Sequence, residues 1–209
     1  MRSLVIVAVA ALVLVGSTAP AFAEGFIDFY VGSAMTRDSR VTVRTPGFSE
    51  SERVDWDTSI TAGARFGAWF DSLPWLGLAL DGSFFRPDKD LTVYPVSALL
   101  MLRLAFLKDD NFVNGRLQPY IAAGPGLFIS HLDGRIGELG ESVEAVSVDA
   151  GLDVRGGLTF MLTKNIGIFG EYRFTHVKPD FGFDILDIES KAKTTFDTHH
   201  VHGGLTFRF

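Results

Sequence analysis

The chain of 209 residues contains no cysteine. Disulfide bonds, thiolate metal sites and cysteine nucleophiles are therefore excluded. Basic residues are not in excess either, because 19 Lys and Arg stand against 25 Asp and Glu, a formal net charge of -6. Nucleic-acid binding normally requires a basic surface, so the composition predicts no nucleic-acid partner. Apolar residues make up 47% of the chain, which is ample for one folded domain and argues against disorder.

A long uninterrupted apolar run occurs only near the N-terminus. It covers 12 residues, 4–15, and follows the basic residue Arg2. Ala21 and Ala23 form a small-x-small cleavage motif, so the sequence predicts a signal peptide over residues 1–23 and Sec-type export. A retained membrane anchor is the alternative, but a spanning helix needs about 20 apolar residues.

No stretch of about 18 apolar residues follows the cleavage motif, so the mature chain is expected to have no membrane helix. What it has instead is alternation with a period of two, which predicts β-strands. The last segment is the clearest, because one face carries His202, Gly204, Thr206 and Arg208 and the other carries the apolar set Val201, Gly203, Leu205, Phe207 and Phe209.

Seven other segments complete a predicted set of eight strands, each near the 9–11 residues of a tilted membrane strand. The faces of the Gly- and Ala-rich segment 117–129 stay unassigned. Gaps alternate between short turns and long polar loops at 36–55, 133–145 and 178–195, apart from a brief connection at 86–90. The sequence therefore predicts an all-β, eight-stranded antiparallel up-and-down transmembrane β-barrel over residues 24–209, with both termini in the periplasm. The eight segments are 25–35, 59–69, 76–85, 96–106, 117–129, 147–161, 166–174 and 201–209.

Charged residues recur in the middle of the predicted strands, opposite the apolar face. A soluble sheet places such charges in solvent, where acids and bases need not balance. Here five acids face five arginines and no lysine, and arginine suits dense pairing because its fork binds carboxylates bidentately. An unpaired buried charge costs several kcal/mol, so we expect these groups to neutralise one another inside the barrel. The ten residues are Asp28, Arg65, Asp81, Arg103, Asp149, Asp153, Arg155, Glu171, Arg173 and Arg208.

Three segments resemble a known family. Residues 202–209, His-Gly-Gly-Leu-Thr-Phe-Arg-Phe, are similar to the C-terminal signature of outer-membrane proteins. Residues 118–126, Gln-Pro-Tyr-Ile-Ala-Ala-Gly-Pro-Gly, and 170–175, Gly-Glu-Tyr-Arg-Phe-Thr, resemble strands of small porin-like barrels. Together they resemble the eight-stranded OmpA-like and opacity-type outer-membrane barrel superfamily.

This resemblance implies a place in the outer membrane of a Gram-negative-type bacterium, surrounded by outer-membrane lipid. It also implies that the barrel assembly machinery reads the alternating C-terminal residues during biogenesis. Those residues would be Val201, Gly203, Leu205, Phe207 and Phe209.

The expected function is that of a structural or surface-interaction scaffold, since an eight-stranded barrel has room only for side chains or one small ligand. Loops 36–55 and 178–195 are the expected contact sites for an extracellular partner. A narrow small-solute pore is one alternative. No cofactor is expected.

A lipid A acyl hydrolase is the other alternative, and it needs a nucleophile beside a base. The sequence assigns no catalytic residue. It leaves open the role of the histidines. His200 and His202 are expected to face the same side, as the ligands of a metal site would. Hydrogen bonding is favoured over a metal site. The candidate residues are Thr175, His176, Asp197, Thr198, His199, His200 and His202.

Overall fold

The computed structural model describes residues 22–45, 48–136, 141–185, 188–193 and 195–209. Eight antiparallel strands close into a barrel in the order β1-β12-β9-β8-β7-β6-β5-β4. No helix in this part of the chain is long and apolar enough to cross a membrane. The barrel strands are β1 Phe22–Thr36, β4 Thr58–Phe70, β5 Leu76–Asp88, β6 Leu91–Arg103, β7 Leu117–Ile136, β8 Glu141–Met161, β9 Ile166–Val177 and β12 Phe196–Arg208.

The first and last strands close the barrel. The β1–β12 seam is continuous from the pair Phe26 and Arg208 to the pair Thr36 and Thr198. Closure leaves no unpaired strand edge, so every barrel strand has a neighbour on both sides. The predicted eight-stranded antiparallel barrel is confirmed. We call the end where β1 begins and β12 ends the base, and the opposite end the rim.

The four remaining strands form a separate sheet at the rim, which we call the rim sheet. Its order is β10-β11-β2-β3, and the central pairing joins Ala192 of β11 to Val43 of β2. The connections predicted as long polar loops at 36–55 and 178–195 thus contain strands, and the two segments pair with each other at the rim. The rim-sheet strands are β2 Ser39–Thr45, β3 Phe48–Val54, β10 Asp180–Ile185 and β11 Ile188–Lys193.

A third predicted loop, 133–145, is also largely strand. The β7–β8 ladder continues without interruption from the pair Leu117 and Phe160 to the pair Ile136 and Glu141. Polar residues in this segment indicated a loop, but the β7–β8 hairpin extends through it on both strands.

Aromatic rings inside the barrel lie over glycines of the neighbouring strand. A Cβ atom on Gly157 would stand 2.5 Å from the ring of Tyr120, and one on Gly63 would stand 2.6 Å from the ring of Tyr30. Only glycine permits such close approach of a ring to the strand backbone. These contacts explain why an interior rich in aromatic residues fits a small barrel.

Candidate functional site: the barrel interior

One arginine at the centre of the barrel binds three carboxylates. Arg155 Nη2 lies 2.7 Å from Asp81 Oδ1 and 2.8 Å from Asp153 Oδ2, and its Nη1 lies 3.4 Å from Glu171 Oε1. All four side chains are fully shielded from solvent. Arg155 thus joins acids from β5, β8 and β9, three strands that are not all adjacent.

Two further arginines extend this cluster. Arg65 Nη2 lies 2.7 Å from Asp28 Oδ2, and its Nη1 lies 2.6 Å from Glu171 Oε2. Arg173 Nη2 lies 2.8 Å from Asp153 Oδ2. Because neighbouring pairs share carboxylates, the groups form one connected set, which we call the central network. Its members are Asp28, Arg65, Asp81, Asp153, Arg155, Glu171 and Arg173.

Two tyrosines complete the central network, and sequence reasoning gave them no role. Tyr30 donates its hydroxyl to both oxygens of Asp81, at 2.9 and 2.8 Å. Tyr120 donates to Glu171 Oε2 at 2.8 Å. Tyr30 is two positions after Asp28 and therefore shares its face of the strand, which was the available signal that it would meet a buried acid.

A second charged group lies at the base. Glu24 Oε2 accepts hydrogen bonds from Arg103 Nη2 and Asn114 Nδ2, both at 2.7 Å. Arg208 Nε lies 3.7 Å from Glu24 Oε1. Glu24 was missed because it precedes the alternating segment in which the inward positions were counted. It is the acid that pairs with Arg103 and Arg208.

Asp149 does not join the central network, contrary to expectation. Its side chain is half-buried and accepts a hydrogen bond from Ser147. Asp149 shares the inner face of β8 with Asp153, but the two residues are four positions apart, about 13 Å along the strand. It therefore lies nearer the rim, out of reach of the arginines to which we had assigned it.

Apolar layers lie on both sides of the central network. The layer toward the base includes Trp69, whose ring stacks against the Arg103 guanidinium at 4.2 Å from the ring centre. Its members are Phe26, Trp69, Ala79, Leu99, Met101, Tyr120 and Ala122. The layer toward the rim consists of Ala34, Phe85, Leu91, Val93, Phe128, Ala145, Val177 and Phe196.

Two histidines face the interior. His202 Nδ1 lies 3.4 Å from Glu171 Oε1, and His200 Nε2 lies 3.3 Å from the Thr175 hydroxyl. The side chain of Thr198 is also buried in the interior, where its hydroxyl lies 3.0 Å from that of Thr36. None of these groups is exposed to lipid.

Two other histidines face outward near the rim. His176 Nδ1 lies 2.6 Å from Asp197 Oδ1, and His199 Nδ1 lies 2.5 Å from the Tyr172 hydroxyl. Within the described residues, no group of three or more His, Cys, Asp or Glu side chains is arranged to hold a metal ion. The four candidate histidines thus divide into an inner and an outer pair instead of forming one cluster.

The outer wall is apolar, and it includes the C-terminal residues expected to guide assembly. Val201, Leu205 and Phe207 are 54%, 47% and 38% exposed, and Phe209 is 73% exposed. Gly203 also lies on this outer face.

The expected cleavage motif is only partly covered by the structure: Ala21 lies outside the described residues, and β1 begins at Phe22. Signal cleavage and recognition by the assembly machinery stay predictions.

Apolar side chains outside, a closed antiparallel ladder and charged groups inside define a transmembrane β-barrel. The sequence matches the family described as "Outer membrane protein beta-barrel domain" over residues 8–209. The chain belongs to this family.

Solved structures show the same fold. OprG from Pseudomonas aeruginosa is 15% identical, with a TM-score of 0.67 over 90% of this chain and 97% of that one. Neisserial surface protein A is 16% identical, with a TM-score of 0.51 over 87% and 97% of the two chains. No curated protein sequence matches significantly. At these identities the likeness is one of fold alone.

Proposed function

We propose that this outer-membrane protein is a non-enzymatic scaffold that presents its rim sheet to a partner outside the cell, on a barrel that does not conduct solutes. The observation that carries the proposal is the filled interior. Arg155 bridges Asp81, Asp153 and Glu171 across the barrel centre. An eight-stranded barrel leaves little space beyond its own side chains, so these ion pairs occupy the path that a solute would take.

The rim sheet supports the surface role. Strands from two distant segments of the chain pair there, from Lys191 with Arg44 to Lys193 with Thr42. Binding sites are commonly built on segments that a rigid scaffold holds in place. Pairing gives these segments a defined relative position, which separate loops would lack.

Planar-bilayer recording tests the closed interior. The refolded protein is expected to give no steady current above that of the lipid alone. The current is compared with that of a variant carrying Arg155→Ser and Glu171→Ser, which removes two charged side chains of the central network. Stable current steps from the unaltered protein would contradict the proposal.

Epitope labelling tests the orientation of the rim sheet. An epitope inserted between β2 and β3 is expected to bind antibody on intact cells. The matched control carries the same epitope after Lys108, at the base, and is expected to bind only after the outer membrane is opened. Labelling of intact cells through the control alone would overturn the surface assignment.

A lipid-modifying enzyme is the second candidate, favoured by one observation. The pair His176 and Asp197 lies on the outer wall near the rim, where it can meet lipid headgroups. Such a pair needs a nucleophile, and among the described residues no Ser or Thr hydroxyl is hydrogen-bonded to His176. Under our proposal, His176→Ala leaves the lipid A profile of the cells unchanged. A changed profile would favour the enzyme.

A further inference from the structure

A cavity of about 240 Å³ opens at the base of the barrel. The turn between β6 and β7 forms one wall through residues 111–115, and the end of β12 and the β8–β9 turn form the other. Gln118 Nε2 donates to the Gly115 carbonyl oxygen at 2.7 Å, and Asn114 Nδ2 donates to Glu24 Oε2. Side-chain hydrogen bonds therefore hold this turn across the barrel end.

Basic groups outnumber acidic side chains at this cavity. Arg208 and Lys164 line it, and Arg103 lies behind it. Glu24 is the acidic side chain among the lining residues, and Arg103 and Asn114 already occupy its Oε2 atom. Glu24 therefore cannot accept hydrogen bonds from all of the basic side chains at the cavity.

Arg208 has unused hydrogen-bonding capacity. Its side chain is 6% exposed, and the solvent-shielded atoms Nε and Nη1 have no hydrogen-bond partner in the described structure. The nearest carboxylate oxygen, Glu24 Oε1, is 3.7 Å from Nε, which is beyond hydrogen-bonding distance. Phe26 lies against the guanidinium at 4.9 Å from the ring centre and satisfies none of its donors.

A buried guanidinium whose donors are not all hydrogen-bonded is unfavourable, and its planar fork fits an oxyanion. We infer that the base cavity, formed by Arg208, Lys164 and the turn 111–115, binds a small oxyanion: a carboxylate or a phosphate group. Asn111 and Asn165 line the same cavity and supply neutral amide donors. The inference does not depend on the surface role proposed for the rim.

Trp69 offers a direct readout, because its ring centre lies 5.9 Å from the Arg208 guanidinium carbon. In a Trp56→Phe, Trp75→Phe background, Trp69 is the single tryptophan. Sodium phosphate and sodium acetate are titrated separately into the protein in lipid vesicles, with sodium chloride keeping the ionic strength constant. A saturable change in Trp69 emission is expected with at least one of the two anions.

Substitutions at the cavity test the assignment. Lys164→Gln and Arg208→Gln should each weaken binding about tenfold or more, the usual loss when a charge-assisted hydrogen bond is removed. Lys108→Gln removes a base-side lysine that does not line the cavity and should leave the titration unchanged. Heat-dependent mobility in SDS gels checks folding, and the result for Lys164→Gln stands if Arg208→Gln fails to fold.

Each outcome has a defined meaning. A response to phosphate alone assigns the cavity to phosphate groups, and a response to acetate assigns it to carboxylates. Emission that does not change in a saturable way with either anion overturns the inference. Equal titration curves for the unaltered chain and Lys164→Gln also overturn it.

Discussion

At the scale of single residues, the buried charges hold one another in place. Arg155 lies between Asp81, Asp153 and Glu171, and the solvent reaches none of these side chains. Each carboxylate taken into a low-dielectric interior loses hydration that only its partners replace. Removing the one arginine therefore affects three acids at once.

We expect Arg155→Met to destabilise the barrel by about 3–5 kcal/mol, the usual effect of breaking a buried pair by removing one partner. The measurement is the free energy of unfolding by urea in lipid vesicles. Arg116→Met is the control, since Arg116 lies at the exposed base and its loss should cost less than about 1 kcal/mol. Equal effects of the two substitutions would show that the central network contributes nothing particular to stability.

All seven charged members of the central network are among the residues predicted from the sequence, because alternation alone places mid-strand charges on one face. The ion-pair partner of each charge could not be predicted in this way. Asp149 and Asp153 satisfy the same pattern, yet only Asp153 lies at the level of the arginines. Height within the barrel depends on strand register, which local sequence does not encode.

At the scale of elements, two adjacent glycines of β8 occupy opposite environments. Gly157 lies beneath the Tyr120 ring on the inner face, whereas nothing lies within 4 Å of a Cβ atom added to Gly156. The two residues have the same backbone context and differ only in the side of the wall that they face. They therefore form a matched pair for testing how the aromatic rings pack.

Gly157→Ala should destabilise the barrel by about 1–3 kcal/mol, because the added methyl group overpacks the interior. Gly156→Ala should be neutral or stabilising by about 0.4–1 kcal/mol, because alanine restricts the unfolded chain without meeting a neighbour. Urea unfolding in vesicles measures both. A larger loss of stability from Gly156→Ala than from Gly157→Ala would contradict this packing.

The segment 117–129 shows why some faces were not assigned from sequence. Gly and Ala side chains are too small for alternation to be visible, and Pro125 interrupts the pattern. In the structure, Tyr120, Ala122 and Phe128 are buried inside, whereas Ile121 and Leu127 are exposed on the wall. Pairing with β6 and β8 decided the face, since a shift of one residue would reverse every side chain.

At the scale of the whole molecule, the barrel and the rim sheet are held by different pairings. Every barrel seam joins two barrel strands, and β10 and β11 contribute to none of them. The rim sheet is consequently an addition to a barrel that is already closed. This separation allows the two parts to be tested independently.

Replacing residues 180–193 with a short Gly-Ser linker should leave a folded barrel, because β9 and β12 still pair from Val177 and Phe196 downward. Heat-dependent mobility in SDS gels is the measurement. Leu205→Pro is the contrasting change, since it removes a ladder donor from a strand that pairs on both sides and should prevent folding. Loss of the folded band in the linker variant would show that the rim sheet is required for closure.

The sequence by itself determined the strand period, the lipid-facing and interior sets and the approximate number of strands. These follow from local alternation, because lipid accepts only apolar side chains and the closed interior accepts charges only with partners. Tertiary structure alone decided the rim sheet, the inclusion of Glu24 and the exclusion of Asp149. Each of these depends on register between segments far apart in the chain, which is set when the barrel closes and not by any one strand.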